Sequence, residues 1–236
     1  MLPLKDDVPS RSFPLITVLL IAANIAAFLY QASLEAGMDA GARSATGFVM
    51  EFGAVPCRLT GLCALDDAPA PIVTVFTSMF MHGGLFHIAG NMLYLWIFGD
   101  NVEDTLGHLR FLCLYLGSGI AAAATQVLLN PESRVPMVGA SGAISGVLGA
   151  YLLLFPHASV LTLITFGFFI RFVHIPAVIV LGFWIVVQVI SGLFTFSAAG
   201  RAAGEGGGVA WFAHIGGFVA GIVLLFLLRP RGTGRL

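Results

Sequence analysis

Six apolar runs, near residues 14–34, 85–100, 109–129, 140–155, 173–194 and 209–228, dominate this chain. A helix needs about 20 apolar residues to cross the roughly 30 Å hydrocarbon core of a bilayer. Such runs limit the chain to very few folds, because in lipid every backbone polar group must find its partner within the protein. With 58% hydrophobic and 10% charged residues and a mean hydropathy of +0.96, 236 residues cannot bury this much apolar surface in water. The expected fold is an all-α, polytopic membrane protein, a bundle of six transmembrane helices. Residues 1–13 are expected as a short cytoplasmic segment, 14–228 as one membrane domain and 229–236 as a short basic cytoplasmic tail.

The first run is long for a secretory h-region, and the segment before it carries Asp6 and Asp7. A retained first span is therefore expected rather than a cleaved signal. The connection from 35 to 84 starts polar and ends in "PIVTVFTSMFMHGG", too short and Gly-broken to span, hence interfacial or protein-buried. With the N-terminus inside, Lys5, Arg11, Arg110, Arg171, Arg229, Arg231 and Arg235 lie inside and Arg43, Arg58, Arg134 and Arg201 outside. That seven-to-four split favours both termini in the cytoplasm. A net charge of −1 without basic runs excludes a nucleic-acid partner. Cys57 and Cys63 can pair if their loop faces an oxidising compartment, whereas Cys113 reads as core.

Polar groups inside spans are costly and by default mark function. In this orientation spans two, four and six all enter from the outer face. His87 and Asn91 fall in the first turns of span two, Ser141 starts span four, and His214 lies about five residues into span six. These groups share one depth. Span four, from Ala140 to Phe155, has 16 residues, about 24 Å of helix, so it must begin below the outer surface. Backbone that descends to meet it is tolerated only where it lines a cavity. Ser141 then stands at the cavity floor, on a helix N-terminus whose free N–H groups can hold an oxyanion.

Such a serine suffices for acyl transfer if a histidine takes its proton and returns it to the leaving amine. His87 and Asn91, spaced i, i+4, share a helix face and can donate to the oxyanion beside the Ser141 backbone N–H. No acid lies near Ser141 or His214 in sequence, so a Ser–His dyad is the economical reading. Other signatures fail. Ala143 occupies the glycine position that a nucleophile elbow requires, no H-E-x-x-H zinc motif occurs, and "IFGDN" does not match the aspartyl-protease pattern. No phosphate-binding or dinucleotide fingerprint is present, and neither a metal nor a cofactor is expected.

"HGGLFHIAGN", "GDNVEDTLGHLRF", "GASGAISG" and "AHIGGFVAG" resemble, in order and spacing, blocks of the rhomboid intramembrane serine proteases, from about Phe76 to Leu228. The resemblance implies a six-helix rhomboid-type bundle of the bacterial kind. By position it implies Ser141 as nucleophile, His214 as base, and His87 and Asn91 on the oxyanion side. It implies supporting roles for Gly139 before the serine, His82 ahead of span two, Glu103 near the inner face, and Gly142, Gly217 and Gly221 where helices approach. Two departures stand out: no Trp-Arg pair occurs in the first loop, and Ser145 replaces an aromatic that packs on the base in several members.

Blander readings apply to several of these residues. Gly142, Gly146 and Gly149 with Ser141 and Ser145 form a small-residue face that could serve packing alone. Asn91 could bridge helices; His108, His157 and His174 fall at inner-face ends; the phenylalanines of "TFGFFIRF" read as lipid-facing or interfacial. The leading reading is a serine endopeptidase that cuts transmembrane protein substrates in or beside the bilayer. Its substrate must unwind locally, which favours helix-weakening residues at the cut. Sideways entry by movement of span five and the loop "FSAAGRAAGEGGG" is expected. A silent relative that binds membrane clients would lack Ser or His, and a transporter would want polar groups at the midplane between repeats. The short tails and missing transit peptide lean toward a bacterial plasma membrane, with the site opening outward.

Overall fold

A computed structural model describes residues 1–37, 45–66, 68–166, 169–195 and 209–229. Six main helices follow the six apolar runs: α1 (Leu15–Glu35), α5 (Leu85–Leu106), α6 (His108–Leu129), α7 (Ser141–Leu154), α8 (Ala177–Thr195) and α9 (Trp211–Leu228). Three short helices, α2 (Ala45–Phe52), α3 (Pro56–Leu59) and α4 (Pro71–Thr77), fill the long first connection, and a 3₁₀ turn (Ser78–Phe80) ends it. This is an integral membrane architecture, and among the described residues helix length and composition give four or five candidate spans against the six expected. Among the described residues four helices are individually long and apolar enough to cross, and α5 qualifies only together with Pro71–Phe80, bent 81° away from it. At 14 residues α7 is shorter still.

The expectation of an all-α fold needs correction. β2 (Ser159–Phe166) and β3 (Phe169–Pro176) form an antiparallel hairpin, and β1 (Leu2–Asp6) pairs antiparallel with β2. Residues 1–13, expected as a plain cytoplasmic segment, thus supply a strand of a three-stranded sheet. The start of the fifth run, 173–176, belongs to β3, so that helix begins at Ala177. Along β2, Val160 and Thr162 are buried while their neighbours are less so, the period-2 signature of a half-buried strand. An open sheet edge is not tolerated in hydrocarbon, so the sheet lies beyond the helix ends. Phe172 of "TFGFFIRF" is exposed, as is Ile170 beside it, whereas the surroundings of Phe166, Phe168 and Phe169 lie outside the described residues.

The core sits where α5, α6, α7 and α9 meet, around Phe98, Phe111, Tyr115, Val147 and Tyr151. Glycines let α7 and α9 touch backbone to backbone. A Cβ on Gly221 would stand 2.0 Å from the Gly146 carbonyl oxygen, one on Gly217 2.1 Å from that of Gly142, and one on Gly149 2.4 Å from that of Phe218. The "PIVTVFTSMF" segment buries Thr74, Val75, Ser78 and Met79 and leaves Ile72 exposed, so it is protein-buried along one side. Cys57 and Cys63 are joined in a disulfide. Cys113, read as core, is exposed on α6: an apolar neighbourhood in sequence marks a lipid-facing helix surface as readily as an interior. The loop 196–208 and the tail 230–236 lie outside the described residues.

Candidate active site

The chain reaches Ser141 through Gly139, which adopts φ +121°, a left-handed conformation that disfavours any residue with a Cβ. The Gly139 N–H donates to the Ser78 carbonyl at 2.9 Å, so the 3₁₀ turn holds the approach to α7. Among the described residues no side chain caps the N-terminus of α7, which leaves its first N–H groups without intrahelical partners. Ser141 is partly buried there. The Ser145 hydroxyl donates to the Ser141 carbonyl at 2.6 Å.

His214 lies one turn inside α9, and its Nε2 is 2.8 Å from Ser141 Oγ. The two residues are 73 positions apart in sequence; the glycine contacts between α7 and α9 bring them into reach. The other ring nitrogen, Nδ1, is 2.7 Å from Oε1 of Gln188 on α8. Trp184, one turn earlier on α8, places its ring 5.8 Å from the imidazole, and Trp211 approaches edge-on at 6.5 Å. Gln188 does not emerge from the sequence reading. The rule that marks intramembrane amides could have found it, since Gln188 interrupts "FWIVVQVIS" and is 5% exposed.

His87 and Asn91 face the same approach from α5. A methyl built on Gly139 would stand 2.7 Å from His87 Nε2 and 3.5 Å from Asn91 Nδ2. The Gly83 N–H donates to His87 Nδ1 at 3.3 Å, so the His87 proton resides on Nε2, on the side of Gly139. Asn91 is buried, and its Nδ2 has no hydrogen-bond partner among the described residues. The site thus presents two side-chain donors beside a helix N-terminus and next to a serine paired with histidine.

The remaining expected residues stand further back. His82 is buried; its N–H donates to Gln31 Oε1 of α1 at 3.0 Å, and its ring packs edge-on against His87 at 5.0 Å. Gly142 and Gly217 lie in the α7–α9 contact directly beside the pair, and Gly221 about one turn deeper. Glu103 lies at the opposite end of the molecule. It accepts the Ile16 and Thr17 N–H groups at 2.8 Å each and the Thr17 hydroxyl at 2.7 Å, and so caps α1. His108 Nδ1 meets the same carboxylate at 2.6 Å. In the first loop, where no Trp-Arg pair occurs, buried Arg58 donates to the carbonyls of Met50, Glu51 and Pro69 at 3.0 Å. Among the described residues no group of three or more His, Cys, Asp or Glu could hold a metal ion.

Residues 69–231 match the family model for the Rhomboid domain. The chain is 32% identical over 158 residues to "Rhomboid protein 1, mitochondrial" of Saccharomyces cerevisiae, a match covering 64% of this chain and 40% of that protein. It is 33% identical over 159 residues to "RHOMBOID-like protein 1" of Arabidopsis thaliana, covering 66% and 35%. It is 42% identical over 78 residues to "Rhomboid protease GluP" of Bacillus subtilis, covering 33% and 15%. The chain therefore spans less than half the length of these relatives. A family match over more than half the chain, carried by a helical membrane architecture, makes this protein a member of the rhomboid family.

Proposed function

We propose that this protein is an intramembrane serine endopeptidase that hydrolyses peptide bonds in or beside transmembrane segments of other proteins. The observation that carries this reading is the 2.8 Å approach of His214 Nε2 to Ser141 Oγ at a helix N-terminus. His214 takes the hydroxyl proton as Oγ attacks the carbonyl carbon. The oxyanion receives hydrogen bonds from His87 Nε2, Asn91 Nδ2 and the Ser141 backbone N–H. His214 then gives its proton to the leaving amine as the C–N bond breaks. Water repeats the sequence on the acyl-enzyme and frees Ser141.

Gly139, Gly142, Gly217 and Gly221 serve the dyad by allowing the backbone approaches that Cβ atoms would block. His82 buttresses His87, and Glu103 holds the far end of α5 to α1. The site faces the outer side, with α1 starting inside. The Cys57–Cys63 disulfide sits in the first connection, on the Ser141 side of the bundle, and disulfides persist on the oxidising side of a membrane. The bacterial plasma membrane expected from the sequence gains no support, because relatives named as mitochondrial match as well as bacterial ones.

The test is cleavage of a labelled transmembrane substrate in proteoliposomes by the wild type, Ser141→Ala and His214→Ala. Both variants are expected to lose activity, and a fluorophosphonate is expected to label the wild type at Ser141. Undiminished cleavage by either variant overturns the proposal.

A further inference from the structure

A dyad leaves open which of the two imidazole nitrogens carries the proton, and only one answer lets His214 act as a base. Nε2 must offer its lone pair to Ser141, so the proton must sit on Nδ1. Nδ1 faces Gln188 Oε1 at 2.7 Å. The Gln188 amide is itself oriented: its Nε2 faces the Trp184 carbonyl of the same helix at 3.4 Å. Exchanging the amide's oxygen and nitrogen would set Oε1 against that carbonyl, two acceptors with no proton between them. The Trp184 carbonyl therefore sets the amide, the amide oxygen requires a proton on Nδ1, and Nε2 is left to accept from Ser141 Oγ.

We propose that Gln188 is a positioning residue that fixes the reactive tautomer and ring orientation of His214, a neutral counterpart of the acid in a catalytic triad. This rests on the protease reading above. It also accounts for a departure noted in the sequence. Ser145 presents no ring to His214, and its hydroxyl is engaged with the Ser141 carbonyl; the imidazole is instead held from α8, by Gln188 and Trp184 together. Gln188 is 5% exposed, so water does not compete for the bond. Among the described residues of the helices around His214, α8 and α9 present no acid or base to it, α7 presents none but Tyr151 at its far end, and α5 presents His87.

The test compares Gln188→Met, near in shape but unable to accept, and Gln188→Glu, which accepts with a negative charge. Both are assayed in proteoliposomes against the same transmembrane substrate, beside Ser141→Ala. Gln188→Met is expected to lower kcat roughly 10- to 100-fold with little change in KM, since part of the histidine population adopts the wrong tautomer. Its acid limb of kcat/KM moves to lower pH, because the protonated ring loses an acceptor. In Gln188→Glu the limb moves to higher pH by about one unit or more, because the carboxylate favours the protonated ring. Ring ¹⁵N shifts of His214 are expected to report Nδ1–H in the wild type and a tautomer mixture in Gln188→Met.

A purely structural role would move neither the limbs nor the tautomer. Wild-type limbs in both variants beside an inactive Ser141→Ala would overturn this inference alone. Cleavage that survives Ser141→Ala would remove the protease reading and this inference with it. If Gln188→Met does not fold, the limb of Gln188→Glu decides.

Discussion

Glu103 is a carboxylate with no exposed side-chain surface, and it survives burial because it ends a helix. Its oxygens accept two backbone N–H groups and a hydroxyl at the start of α1, where the helix dipole also favours negative charge. Glu103→Ala would strand those donors and is expected to cost about 3 kcal/mol. Glu103→Gln, which keeps one acceptor, is expected to cost roughly half as much; thermal unfolding in micelles reads both. Equal melting temperatures for all three proteins would refute the capping role. Asp6 behaves differently. Burial pushes its carboxyl up from 3.8 to about 6, the Tyr151 hydroxyl that donates to it opposes that rise, and the charges of Asp100 and Asp7 add to it. Between about pH 4 and 6 the folded state then binds more protons than the unfolded one, so stability falls as pH rises through that window. Asp6→Asn keeps an acceptor for Tyr151 and Asn101. Its melting temperature is expected to fall less than that of the wild type across the window, and parallel slopes would rule the explanation out.

At the scale of elements, α7 decides the geometry. Its shortness was legible, since Gly139 and Pro156 bracket a run too short to span, and Ser141 does begin the helix. The small face that a bland reading assigned to packing does pack: α7 and α9 meet backbone to backbone through Gly146, Gly149, Gly217 and Gly221. Packing and proximity are therefore one device, because the same contact brings His214 to Ser141. Gly221→Ala would place its Cβ 2.0 Å from the Gly146 carbonyl oxygen. The helices must separate, at an expected cost of about 2 kcal/mol or more. Cleavage is expected to fall more than tenfold, since a shift of about 1 Å at the reacting groups is enough. A Gly221→Ala protein with wild-type kcat would show the approach to be dispensable. The polar partners of the site were less legible. His87, Asn91 and His214 stood out by depth, whereas Gln188 on α8 did not, because which face of α8 meets His214 is set by packing alone.

The whole molecule has two unlike ends. One holds Ser141, His214, the disulfide and the broken α4–α5 entry; the other holds the sheet and a polar strap in which Ser10 and Ser12 donate to Asp100 and Asp104. The proposed orientation puts the first end outside. A membrane-impermeant thiol reagent, added after mild reduction to sealed vesicles of known sidedness, is expected to label Cys57 and Cys63 from the face opposite the N-terminus. Labelling that requires access to the inner side would reverse the orientation.

Composition and run length determined, without any structure, that lipid is the solvent and where the main helices lie, because hydrophobic burial in a bilayer is read locally along the chain. The depth of polar residues likewise singled out Ser141, His214, His87 and Asn91. Only the tertiary structure decided that residues 2–6 join a hairpin over 150 positions away, that Cys113 faces outward, and that Gln188 meets His214. Strand pairing and helix rotation depend on partners remote in sequence. No local period in the chain records them.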